Sequence, residues 1–207
     1  AVLPAPRVPR GTADAFMSPG WPFQMGLPAL DAFPRKLWAR LSARRARQLA
    51  PGAMSYPDAL GYAPLRDALA RYLAVARGIA CAPEQIVITA GFQGALGLVT
   101  RTLLRPGDPV WLEDPGYFLV HHAMDAARAR IVAVPVDAAG LDVEAGQQRE
   151  RTARLAIVTP SHQSPTGVAL SLPRRLALLD WARQAKAWIV EDDYDSEFRY
   201  DGRPIPA

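Results

Sequence analysis

Residues 155–192 read LAIVTPSHQSPTGVALSLPRRLALLDWARQAKAWIVED. A short apolar run at 155–159 gives way to a polar loop, a helical segment at 172–186 and a second apolar run at 188–192. Short apolar runs bounded by turn residues read as buried strands. Strand, helix and strand at this spacing join parallel neighbours, because a parallel pair needs a long crossover. The alternation extends upstream, with strands expected at 86–89, 110–113 and 131–136. Helices are expected between them at 94–104, 117–128 and, more weakly, 143–151. Five strands alternating with helices predict an α/β fold with a largely parallel sheet covered on both faces.

Two helices are expected before the first strand. One spans 33–49, with Phe33, Leu37, Trp38 and Leu41 as an apolar stripe and Arg35, Lys36, Arg40, Arg44, Arg45 and Arg47 around the rest. This basic surface reads as a solvated face rather than a nucleic-acid surface. The other helix opens at Pro64, carries Leu65, Leu69, Tyr72 and Leu73 on one face, and stops at Gly78. Residues 1–32 hold too many prolines and glycines for regular structure and read as a linker or wrapping arm, leaving 33–207 as the domain.

The 207 residues are 50% hydrophobic and 21% charged, which suits one globular domain with an appendage. A net charge of +4 gives no mandate for nucleic-acid binding. A single cysteine, Cys81, excludes a disulfide framework, and a reduced, cytoplasmic location is the expectation. No apolar run approaches the roughly 20 residues of a membrane span. His121 and His122 are adjacent on a helix and cannot face one metal together, so no metal site is expected. His162, in the loop after 155–159, reads equally as a pocket residue or a satisfied loop histidine.

In such sheets the chemistry gathers at the carboxyl ends of the strands. After Thr89, the glycines of AGFQGAL free the backbone to aim helix N-terminal amides at a phosphate, although a plain tight turn reads equally well. After Glu113, DPGY makes a turn that presents the Tyr117 ring to a flat heterocycle. TPSHQSPTG is a stiff polar loop able to hold His162, Gln163 or Ser164 in place. The run after WIV is acidic, and an acid at the end of a buried strand needs a partner or a job, such as facing a protonated ring nitrogen. The set suits a phosphorylated pyridine.

The chain resembles the large domain of the fold type I pyridoxal-phosphate aminotransferases, and within them the aminotransferase-like domain of MocR regulators of the GntR superfamily. The likeness is carried by GLPALDAFPRKLWARL, GYAPLRDALARYLAVARG, PEQIVITAGFQGAL, LLRPGDPVWLEDPGY, VTPSHQSPTG and WIVEDDYDSEFRYDGRP. DDYDSEFRY and TPSHQ with PTG point to the regulator branch.

The resemblance implies a three-layer, mostly parallel domain interrupted before its last strands, with pyridoxal 5'-phosphate as cofactor. It implies that Gly91, Phe92 and Gln93 hold the phosphate, that Tyr117 stacks on the ring and that Asp192 pairs with the ring nitrogen. Tyr194 would bond the phenolic oxygen, and Tyr56 would reach the partner subunit's phosphate, making the site a shared one in a homodimer. Asp192 is preferred over Asp193 because only one of two adjacent strand residues faces the site.

Two positions depart from the pattern. Phe92 stands where relatives often have a hydroxyl, and Ser164 stands before PTG where transaminases have asparagine. The family's Schiff-base lysine follows the GRP segment, which the resemblance places beyond Ala207. Lys186 is the last lysine here, so no catalytic residue is assigned within these 207 residues. The expectation is a fragment of a regulator that senses the cofactor or an amino-acid-like effector and meets DNA through a winged-helix domain outside this sequence. The alternatives are part of a free-standing aminotransferase converting amino acids to 2-oxo acids, or an α/β module for another phosphorylated ligand.

Overall fold

The computed structural model describes residues 28–194 and residue 196. Most of the expected arm at 1–32 lies outside the described residues, as does the end of the chain through Ala207, after which the Schiff-base lysine is expected. The described residues fall into two units, one ending at Tyr56 and the other starting at Pro57. The first unit holds helix α1 (Arg35–Gln48), flanked by single 3-10 turns at Leu30–Ala32 and Pro51–Met54. Its apolar stripe is open to solvent, with the Phe33 and Trp38 rings 5.9 Å apart.

The second unit starts with α2 (Ala63–Arg77), where Pro64 lies in the first turn and Gly78 closes the helix in the left-handed conformation. There follow α3 (Gly91–Leu103), β1 (Pro109–Asp114), α4 (Val120–Ala127), β2 (Arg130–Asp137), β3 (Gly140–Leu141) and α5 (Val143–Glu150). The unit ends with β4 (Leu155–Val158), α6 (Leu172–Ala185) and β5 (Trp188–Glu191). The sheet order is β3-β2-β1-β4-β5. β1, β2, β4 and β5 are parallel, and β3 pairs antiparallel with β2.

Two expectations about the strands are corrected. Residues 86–89 are extended but join no sheet among the described residues. Their one backbone bond to a distant segment runs from Ile88 N–H to the Leu60 carbonyl, 2.9 Å. β propensity alone does not make a strand without a neighbour to complete the ladder. The fifth strand is instead β3, a two-residue edge formed where the chain doubles back after Asp137, whose carboxylate accepts the Ala139 N–H at 2.8 Å. Gly140 turns there at φ +95°, against Leu170, where a Cβ would collide.

Two helix starts also shift. α3 begins three residues earlier than expected, at Gly91, and α4 begins at Val120 because 117–119 form a turn closed by Val120 and His121 N–H groups.

The period of two along the strands sorts side chains into two cores. Val110, Leu112, Leu155 and Ile157 pack with Leu96 of α3 and Val120, Ala123 and Met124 of α4. Trp111, Val132, Val134, Ala156 and Val158 pack with Val143 of α5 and Leu178, Trp181 and Ala182 of α6. On that second face the Trp111 and Trp181 rings stack at 3.8 Å. Both indoles donate to backbone carbonyls where α5 ends, Trp111 to Glu150 at 2.9 Å and Trp181 to Arg151 at 3.2 Å.

Candidate cofactor site

The carboxyl ends of β1, β4 and β5 open into a shallow cleft. Leu112 and Ile157 reach it from the α3/α4 core, and Glu113, Tyr117, His121, Thr159 and Asp192 give it a polar lining. Tyr117 is placed by the turn after β1. At Gly116 a Cβ would run into the Glu113 carbonyl, so only glycine lets the chain bend this tightly. The Tyr117 ring sits 6.0 Å from that of Phe92, tilted by 59°. Burial, then the nearby Asp192, pushes the Tyr117 phenol above its ordinary pKa.

Asp192 follows β5, its N–H bonded to the Val158 carbonyl at 2.9 Å. It keeps the alternation of the strand and lines the cleft on the side of Val190. Asp193 instead forms an ion pair with the buried Arg77, 2.5 Å away. Of the two adjacent acids, Asp192 is therefore the one on the cleft, and it forms no salt bridge among the described residues. Burial, reinforced by the negative charges of Asp193 and Glu113, pushes its pKa up to about 6.

The phosphate-binding candidates lie at the start of α3, beside this cleft. Gly91 takes φ +70°, and no side chain caps the helix. The Phe92 ring packs against the α3/α4 core, and the Gln93 side-chain amide donates to the Leu119 carbonyl at 3.0 Å. The Gly91 N–H is bonded to the Thr89 carbonyl at 2.9 Å, so what the segment offers an anion is the first-turn amides after Gly91 and the positive end of the helix. Tyr194 donates its hydroxyl hydrogen to the His162 carbonyl at 2.7 Å, so a ligand at that oxygen would meet an acceptor already tied to the loop after β4. Tyr56 belongs to the first unit, where its side chain is fully exposed.

A buried network under the cleft was not singled out from sequence. Glu113 accepts from the Thr159 N–H (3.1 Å), the Thr159 hydroxyl (2.6 Å) and the Gln163 amide (3.1 Å). Gln163 also donates to the Pro115 carbonyl at 2.8 Å, which ties the loop after β4 to the turn that carries Tyr117. Burial raises the Glu113 pKa while the Thr159 and Gln163 bonds lower it, and burial prevails. The available signal was an acid closing an otherwise apolar strand, with Gln163 in a stiff loop. Among the described residues no group of three histidine, cysteine or acidic side chains is placed to hold a metal ion. None of the described helices is long and apolar enough to cross a membrane.

The fold is shared with known proteins. The model of the family "Aminotransferase class I and II" matches residues 30–203. The chain belongs to the class I and II aminotransferase family. Within that family it is 42% identical over 185 residues to "Probable rhizopine catabolism regulatory protein MocR" of Rhizobium meliloti, covering 89% of this chain and 37% of that protein. It is 36% identical over 188 residues to 2-aminoadipate transaminase of Thermus thermophilus, covering 89% of this chain and 46% of that protein. The crystal structure of the α-aminoadipate aminotransferase LysN from Thermus thermophilus, complexed with N-(5'-phosphopyridoxyl)-L-leucine, superposes with a TM-score of 0.76 at 34% identity. The match covers 88% of this chain and 46% of that one. The chain has the fold of these aminotransferases and spans less than half the length of the relatives it matches.

Proposed function

We propose that the cleft binds pyridoxal 5'-phosphate and that the chain is the cofactor-binding part of a MocR-type transcriptional regulator. The observation that carries the cofactor reading is Asp192, a half-buried carboxylate without a cationic partner among the described residues, on a cleft it shares with Tyr117. A protonated pyridine nitrogen supplies the missing positive charge. Tyr117 offers its ring as a stacking face, and the first turn of α3 offers amides to the phosphate. When bound, the cofactor's protonated ring withdraws electrons from an attached amine. Asp192 keeps that ring charged, and Tyr117 with Val120 covers the apolar floor against water. Tyr56 extends toward the phosphate of a second copy in the homodimer that this reading includes.

The regulator is favoured over the aminotransferase by the higher identity to the MocR protein, 42% against 36%. In that reading the ligand signal passes to a DNA-binding domain outside this sequence, and an amino-acid-like molecule acts as effector. Titrating the chain with 4'-deoxypyridoxine 5'-phosphate tests the cofactor claim, since this analogue lacks the aldehyde and cannot react with Lys36 or Lys186. Saturable binding that nucleotides do not displace, and that Asp192→Asn weakens about tenfold, is expected. Binding indifferent to Asp192→Asn overturns the assignment. For the regulator, the complete gene product should protect a DNA site in footprinting; turnover of amino acids without such protection favours the aminotransferase.

A further inference from the structure

The hydrogen bonds around Glu113 run toward its carboxyl oxygens, and one of them comes from a backbone N–H. Ser164 N–H donates to Thr159 Oγ1 (3.3 Å), and the hydroxyl donates its own hydrogen to Glu113 Oε2 (2.6 Å). Thr166 N–H donates to Gln163 Oε1 (3.0 Å), which turns the amide NH₂ group toward the Pro115 and Ser164 carbonyls, 2.8 Å each, and Glu113 Oε2, 3.1 Å, so two hydrogens are shared among three acceptors. Thr159 N–H donates directly to Glu113 Oε1. The Thr159 N–H cannot exchange donor for acceptor, so Glu113 Oε1 is held as an acceptor there, and the Thr159 hydroxyl and Gln163 amide are oriented to donate to Oε2. A carboxylate accepts from all three groups at once, whereas a proton on Oε2 would require the Thr159 hydroxyl to turn its hydrogen away.

We infer that Glu113 is a positioning residue held as a carboxylate, a second fixed negative charge on the cleft that helps Asp192 keep a bound pyridine nitrogen protonated. The inference rests on the cofactor reading above and deepens it. Glu113 lines the same cleft as Asp192, and the two charges act on each other. The other titratable groups on the cleft are Tyr117 and His121, and Asp193, paired with Arg77, adds its own negative charge beside Asp192. Glu113 is buried behind its donors, which suits action through the field and through Asp192 rather than direct contact with the ring.

The test uses the chain with 4'-deoxypyridoxine 5'-phosphate, reading affinity by calorimetry and ring protonation by absorbance across pH. Inorganic phosphate serves as a competitor that has no ring. Glu113→Gln is expected to lower the pKa of the bound ring by about one unit and to weaken binding about tenfold near pH 8, with competition by phosphate unchanged. Thr159→Val, which removes one donor and keeps the shape, is expected to shift both quantities the same way by less. It carries the test if Glu113→Gln does not fold. Folded variants with an unshifted ring pKa overturn the inference, as does an equal loss of phosphate affinity, which marks a merely structural role. If the unaltered chain binds no probe, the cofactor reading falls and this inference with it.

Discussion

At the scale of single residues, the cleft is marked by two acids that burial affects alike and hydrogen bonding does not. Asp192 has its pKa raised to about 6 and so binds its proton more tightly folded than unfolded, where the ordinary value is 3.8. Its protonated form therefore favours the fold, and that contribution is complete below about pH 4 and lost as pH rises through about 6. Urea midpoints of the ligand-free chain should fall across this window, and Asp192→Asn should flatten the fall relative to the parent. Glu113 differs in having three donors arranged on it, so its charge is supported from the protein side. Gly116 is the backbone counterpart of this fixed arrangement. Gly116→Ala would press a methyl group into the Glu113 carbonyl, and a loss of about 2 kcal/mol in unfolding free energy, with Tyr117 displaced, is the expected outcome. Asp192 and Tyr117 were legible in the sequence because each follows a recognisable strand at a turn. The Glu113 network was not, because its partners lie 46 to 50 residues away and only the pairing of β1 with β4 brings them together.

Among the elements, strands with an apolar interior were readable and strands that depend on a neighbour were not. β1, β2, β4 and β5 fall within a residue of their expected ends because each is a short apolar run bounded by turn residues. Residues 86–89 carry the same composition and make no ladder among the described residues, while β3 is too short to leave any pattern. α5 is the helix expected more weakly from the sequence, and its place is secured by tertiary bonds: Trp111 and Trp181 hold the carbonyls at its end, and the Asp142 side chain caps its start by accepting the Ala145 N–H at 3.1 Å. Trp181→Ala removes the stacked ring and one of these bonds together. A loss of about 3 to 5 kcal/mol in chemical unfolding is expected, with Trp181→Phe losing clearly less because it keeps the ring and forfeits the bond.

For the whole molecule, alternation along the chain was enough to predict a parallel sheet with helices on both faces, since the crossover rule leaves few other ways to connect such strands. The proposed sharing of the site between copies is testable at this scale. Tyr56→Phe keeps the ring and removes the hydroxyl, so it should weaken binding of the phosphorylated probe severalfold while sedimentation still reports a dimer. Equal affinity in a confirmed dimer removes Tyr56 from the site. The two faces of the sheet have separate cores, and the stacked indoles lie on the face opposite the apolar residues that reach the cleft. Rings in such close register couple excitonically, so the molecule carries its own optical gauge of integrity, remote from the ligand. A variant that loses ligand while the tryptophan circular-dichroism couplet persists has lost recognition, and one that loses both signals has lost its architecture.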